Sequence, residues 1–331
     1  MQGPEPAARR AVKWLRRGEL TVQRPPWIEK LRPLANAAGR VISAAALVAV
    51  VVYFVRTQVW RTVDLRDGRL CGVLLGSSLA YAAGEALMSY GWMRWLRSTG
   101  DRSVSMAAGI VLYCRSQLAK YIPGNVFHLV ARQTLGNDLG APHSALALAS
   151  VSESAALVVA ACALAGIGDG LPPGFPHVPR AAAFTFACLF LAAAVLFARF
   201  LQRSGPRRGF RGHALDTLLT LACYFPFFIL NGVSLALLLS LSHSVGVRAA
   251  AELTGIWSLC WLAGYVTPGA PGGLGVREAA LLYGLSATCS RPEAAAIAVE
   301  MRLVSTLGDV LLWLAATSLR HTIRKPAGSA A

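Results

Sequence analysis

The chain has 331 residues, of which 55% are hydrophobic and only 15% charged, and its mean hydropathy is +0.51. A water-soluble domain carries about a quarter of its residues as charges to cover its surface, so this composition excludes one and fits a protein embedded in lipid. Net charge is +16, and its placement along the chain carries the topological information.

Residues 1–38 read as a basic cytoplasmic arm. The first forty residues hold nine Lys or Arg against Glu5, Glu19 and Glu29. Ala8–Leu20 fits a basic amphipathic helix with Val12, Trp14, Leu15 and Leu20 as its apolar residues. Such a helix lies on anionic lipid and keeps the arm on the cytoplasmic side. Basic charge also suits nucleic acid, but no nucleic-acid partner is expected here. The long polar stretch before Val41 differs from a cleaved signal peptide, whose basic region is short.

Residues 39–320 read as one transmembrane domain of membrane-length apolar segments, near 41–58, 70–93, 104–122, 143–167, 181–201, 214–240, 248–266 and 293–319. Two weaker amphipathic pieces lie near 125–138 and 276–288. The arm, the loop 94–103, the loop 202–213 and the tail 321–331 are basic and belong inside; Gly168–Val178 has no Lys or Arg and belongs outside. Simple alternation of eight crossings does not satisfy these sides. They are satisfied by six full helices plus two re-entrant helical hairpins, 104–138 entering from inside and 248–288 from outside. The expected fold is therefore an all-α polytopic membrane protein with both termini cytoplasmic. Repeat one (about 70–167) and repeat two (about 214–319) are then inverted copies. The loop 56–69 fits least well, since Arg56, Arg61, Arg66 and Arg69 must face out, offset only by Asp64 and Asp67.

The hairpin turns carry the most distinctive residues. One apolar run ends in Tyr121-Ile122-Pro123-Gly124-Asn125 and another in Tyr265-Val266-Thr267-Pro268-Gly269, and an arginine, Arg132 or Arg277, follows nine residues after each proline. Proline and glycine free backbone polar groups that lipid cannot satisfy, so such breaks persist only inside protein or beside a wet cavity. Paired breaks in two halves of a polytopic chain point to a transport site. The turns are assigned to Pro123 and Gly124 and to Pro268, Gly269, Gly272 and Gly273.

Gln117-Leu118-Ala119-Lys120-Tyr121-Ile122-Pro123-Gly124-Asn125-Val126, with Arg132 behind it, resembles a signature of the flippase-like membrane family named for the transmembrane region of lysylphosphatidylglycerol synthase. Pro268-Gly269-Ala270-Pro271-Gly272-Gly273-Leu274-Gly275-Val276-Arg277-Glu278 is similar to its second signature. The resemblance covers roughly residues 35–320. It implies an inner-membrane protein with re-entrant hairpins that moves lipids between leaflets; members translocate aminoacylated phosphatidylglycerol, and relatives are linked to polyprenyl-phosphate sugars and hopanoids. Bifunctional members carry a soluble aminoacyl-transferase domain after the membrane part, whereas this sequence ends at Ala331, so lipid aminoacylation is not expected to be inherited.

Charges at bilayer depth are expensive and mark pathways or buried pairs. Arginine grips phosphate with a fork of donors and keeps its charge when desolvated. Arg132 and Arg277 are the expected headgroup ligands, brought to one shared polar chamber, with Arg302 as a further cation and Arg115 and Lys120 at the mouth. Asn125 and Gly273 would border the turns. Glu153, Glu278 and Glu300 are the expected charge partners, amine contacts or proton sites. A rival reading makes Arg132–Glu153 and Arg277–Glu300 buried pairs that set register. Glu85 stands as a lone membrane carboxylate, read as facing a cavity, with a proton site as the alternative.

The seven cysteines form no C-x-x-C pair and the six histidines no zinc spacing, so no metal is expected. The Gly269–Gly275 stretch lacks a Walker lysine or a preceding strand, and no cofactor is expected. The leading functional expectation is a translocase for an anionic or phosphate-bearing lipid, working by alternating access rather than catalysis. The alternatives are a membrane-embedded transferase acting on a polyprenyl-phosphate or phospholipid, and a non-catalytic membrane subunit of a lipid or glycan synthesis system. A separate lipid-modifying enzyme and a second copy of the chain are the candidate protein partners.

Overall fold

The structure, a computed structural model, describes residues 66–99, 101–121, 127–166, 217–267 and 270–323. Among these residues all regular structure is helical. Helix α1 (Gly68–Ser98) starts at Asp67, whose carboxylate accepts the Arg69 backbone N–H at 2.8 Å. Helix α2 (Met106–Ser116) is capped by Ser105, whose hydroxyl accepts from the Ala108 N–H at 3.2 Å, and it tightens into a 3₁₀ turn over Gln117–Tyr121. These side chains satisfy donors that a first helical turn leaves free. Helices α3 (Phe127–Asp138) and α4 (His143–Ala165) follow.

The second half repeats this order. Helix α5 (Phe225–Leu239) continues a helical run from Thr217 and carries Pro226 in its first turn, where a missing N–H costs nothing. Then come α6 (Val247–Val266), a 3₁₀ turn at Pro271–Gly273, α7 (Val276–Gly284) and α8 (Arg291–Ile323). Each half thus runs through a helix, a pair of mutually packed helices (α2–α3 or α6–α7, called its hairpin below) and a further helix. Among the described residues, three helical runs, Gly68–Ser98, His143–Ala165 and Thr217–Leu239, are long and apolar enough to cross a membrane.

The halves are interleaved. The first helix of the first pair, α2, packs against α8 of the second half, and the first helix of the second pair, α6, packs against α4 of the first. α1 and α5 pack on each other at the centre. In lipid the hydrophobic effect does not drive helices together, so close packing must. Gly232 on α5 is seated on Thr254 of α6, where an added Cβ would stand 2.5 Å from the Thr254 Cα. Tyr81, Phe227, Phe228, Trp261 and Tyr265 continue this seam as ring contacts, with centroids 4.7–6.1 Å apart.

Two boundaries move relative to the sequence reading. α1 runs through Arg94 and Arg97, which charge alone assigned to a loop, and the Arg94 Nε donates to Thr220 Oγ1 at 2.9 Å. α8 reaches Ile323, beyond the expected start of the tail at 321. The basic arm 1–38, the segments 41–58 and 181–201, the loops 168–178 and 202–213, and residues 324–331 lie outside the described residues.

Candidate functional site

Most of the membrane charges among the described residues fall into three groups. The first is built by α3 docking on α4. Only two residues of α3 are buried, Arg132 and Gly136, one helical turn apart on one face. Gly136 lies flat against Leu146, which lets Arg132 reach inward. Its Nη1 donates to a Glu153 carboxylate oxygen and its Nε to Ser116 Oγ at 3.1 Å. The guanidinium lies 3.7 Å from the Tyr113 ring centroid and 5.8 Å from that of Trp92. Tyr113 donates its hydroxyl to the other Glu153 oxygen at 2.5 Å. Arg132 is 2% exposed and Glu153 3%. This is a closed, neutral pair, hydrogen-bonded at both ends.

The second group joins the tip of the first hairpin to both halves. Lys120 Nζ donates to Glu85 at 3.0 Å, to Asp309 at 2.8 Å and to the Tyr81 hydroxyl at 3.1 Å. All three ammonium hydrogens therefore have acceptors. Tyr81 donates to Glu85 Oε1 at 3.1 Å, and Tyr121 donates to Asp309 Oδ2 at 2.6 Å. Glu85 is thus not the lone carboxylate of the sequence reading; it shares Lys120 with a helix of the other half.

The third group surrounds the second turn. Gly272, Gly273 and Gly275 have φ of 56°, 73° and 82°, a left-handed run that only glycine adopts without strain. Gly273 also touches Gly264 of α6 so closely that a Cβ on Gly264 would lie 3.0 Å from the Gly273 Cα. The turn ends where Glu278 Oε2 accepts the Gly275 N–H at 2.6 Å and starts α7. The other Glu278 oxygen lies 3.3 Å from Arg302 Nη1, which also donates to the Gly272 carbonyl at 3.1 Å. Arg277 lies over the Trp257 ring, 5.5 Å from its centroid. Arg277 Nε and Arg302 Nη2 are buried and lack a hydrogen-bond partner among the described residues. Both arginines line a cavity of about 10 Å³ with Trp257, Glu278, Met301 and Ser305. Two guanidiniums against one carboxylate leave this group with one excess positive charge.

Arg132 and Arg277 therefore belong to separate groups, not to the single chamber expected from the sequence. The hairpins do meet, but through Tyr121: its ring lies 5.3 Å from the Arg302 guanidinium and would touch a Cβ on Gly272 at 3.4 Å. The Arg132–Glu153 pair of the rival reading is formed. Arg277–Glu300 is replaced by Arg302–Glu278, for a geometric reason. Residues two apart on a helix point about 200° apart, so with Arg302 turned to the hairpin, the buried Glu300 faces elsewhere. Arg115 is half-buried, its Nε without a partner among the described residues. Pro123, Gly124, Asn125, Pro268 and Gly269 lie outside them. Sequence reasoning counts Asp309 among the membrane charges without naming its partner, and gives no role to Tyr81, Tyr113 or Tyr121. The available signal was helical spacing: Tyr81 and Glu85 are four apart, and Arg302 and Asp309 seven, each pair on one face.

Compared with protein-family models and with curated proteins, the chain finds no match.

Proposed function

We propose that this chain is a flippase-like translocase that moves an anionic or phosphate-bearing lipid between membrane leaflets. The carrying observation is the third group, with its excess positive charge and two buried guanidinium N–H groups unpartnered beside a cavity. Buried donors normally find acceptors, and a desolvated guanidinium fork matches phosphate oxygens. Arg277 and Arg302 are the headgroup ligands, with the Gly272–Gly275 turn letting the headgroup approach the backbone.

A cavity of about 10 Å³ is at the lower limit for one water. The described arrangement is accordingly closed around the site, and a headgroup is admitted when the second hairpin shifts. The interleaved packing of α2 on α8 and α6 on α4 supports alternating access by exchange of roles between two halves. Six crossings, two oppositely inserted hairpins, cytoplasmic termini and an inner-membrane location complete the reading. Arg132, by contrast, is assigned a structural role.

The test is reconstitution of the full chain into liposomes carrying a headgroup-labelled phosphatidylglycerol or phosphatidylcholine in the inner leaflet. Movement is read by quenching from outside. Faster movement of the anionic lipid than in protein-free vesicles, lost in Arg277→Ala, is the expected result. Equal rates with and without protein, or for both lipids, would overturn the proposal.

A further inference from the structure

We infer that the indole N–H of Trp257 is a third donor to the headgroup at the pocket of the second hairpin, and that the group held there is a phosphate rather than a carboxylate. Trp257 stands on α6, is 1% exposed and lines the pocket beside Arg277 and Arg302. Its Nε1 has no partner among the described residues, and the same is true of Arg277 Nε and Arg302 Nη2. A buried indole N–H ordinarily finds an acceptor. Here the three unpartnered donors come from three helices, Trp257 on α6, Arg277 on α7 and Arg302 on α8.

The one carboxylate lining the pocket is already used. Glu278 Oε2 accepts the Gly275 N–H at 2.6 Å, and its Oε1 lies 3.3 Å from Arg302 Nη1. Ser305 is uncharged and turns its proton to the Arg302 carbonyl at 3.0 Å. Leu281, Ala298 and Met301 make the rest of the lining apolar. The donors therefore call for an anion brought from outside. A carboxylate accepts hydrogen bonds close to its own plane, whereas the oxygens of a phosphate project tetrahedrally. Donors set around one small cavity by three separate helices suit the tetrahedral group. One phosphodiester anion also matches the single excess positive charge of the site.

Trp257 has a second contact at the site, since the Arg277 guanidinium lies 5.5 Å from its ring centroid. A ring that served only as a platform for Arg277 would need no nitrogen, and phenylalanine would replace it. The N–H is what separates a ligand donor from a platform. The donor set stands on geometry; that the phosphate belongs to a lipid rests on the proposed function.

The test is proton–nitrogen correlation NMR of the full chain, isotope-labelled at tryptophan, in maltoside micelles. The Trp257 indole signal is the one missing from Trp257→Phe. Dihexanoylphosphatidylglycerol, inorganic phosphate and decanoate are added separately. The signal is expected to move downfield with the phosphatidylglycerol and to stay in place with decanoate. By native mass spectrometry, Trp257→Phe should retain the phosphatidylglycerol at least about threefold more weakly, the effect of losing one neutral hydrogen bond. A signal unmoved by both phosphate probes, or undiminished retention in Trp257→Phe, would overturn the donor role. An equal shift with decanoate would overturn the choice of phosphate. A shift with inorganic phosphate and none with the phosphatidylglycerol would support the donor and overturn the lipid reading. If Trp257→Phe does not fold, a tryptophan analogue with sulfur in place of the N–H, incorporated at Trp257, serves for both the signal assignment and the retention measurement.

Discussion

The two hairpins follow the same spacing rule and end with opposite electrostatics. In the first, the arginine nine residues past the proline is stacked on Tyr113 and neutralised by Glu153. In the second, Arg277 lies over Trp257 with a donor that has no partner among the described residues, beside a second arginine. The difference traces to the last helix of each half. Counted from Pro142 and Pro292, Glu153 stands at eleven residues and Arg302 at ten. Where one half aims an acid at its hairpin, the other aims a base. A repeated backbone plan thus yields one closed joint and one cationic pocket by a change of sign at a matching place.

The largest expected effect breaks the comparison if it fails. Arg132→Ala should destabilise the protein by about 3–5 kcal/mol, because it strands the Glu153 carboxylate in a buried site. Chemical unfolding in detergent measures this, and joint replacement of Arg132 and Glu153 by Met and Leu should recover most of the loss. Arg277→Ala should unfold at nearly the wild-type denaturant concentration. A similar stability loss in both single variants would make the hairpins equivalent.

Ligand binding supplies the converse. Arg277→Ala should weaken retention of an anionic lipid by at least about tenfold, the effect of losing a charge-assisted hydrogen bond. Native mass spectrometry of the lipid-bound protein reads it. Arg277→Lys should restore only part of the affinity, since an ammonium lacks the fork.

The third prediction concerns the turn. Gly264→Ala places a methyl against the Gly273 backbone and should cost about 1–3 kcal/mol through overpacking, seen as a lowered unfolding midpoint. The smallest effect is expected for Tyr121→Phe, which removes one hydrogen bond to Asp309 and should cost about 1 kcal/mol. A loss as large as that of Arg132→Ala would mean that the hairpin tips, rather than the closed joint, hold the halves together.

Much of this arrangement was legible before any coordinates. The two short amphipathic pieces read near 125–138 and 276–288 are the helices α3 and α7. Arg132–Glu153 followed from two buried charges on adjacent helices. The rest depends on rotation and on distant partners, which spacing does not encode. Whether Glu300 or Arg302 meets the second hairpin is decided by the rotation of α8 about its own axis. Glu85 and Lys120 are 35 residues apart, and Lys120 and Asp309 are 189, so only the packing of α1, the hairpin tip and α8 brings them together. Arg94 and Arg97 looked like loop charges because a helix end rich in arginine has the same composition as a basic loop.

Gly264 and Gly273 meet main chain to main chain, with no side chain between the outgoing end of α6 and the turn. Interlocked side chains slip by changing rotamer; two bare backbones in contact have nothing to rearrange. The second hairpin should therefore swing as one stiff lever about its outer ends. Opening the pocket would then require tilting the whole arm against α4 and α8, not peeling the tip away from its own stem.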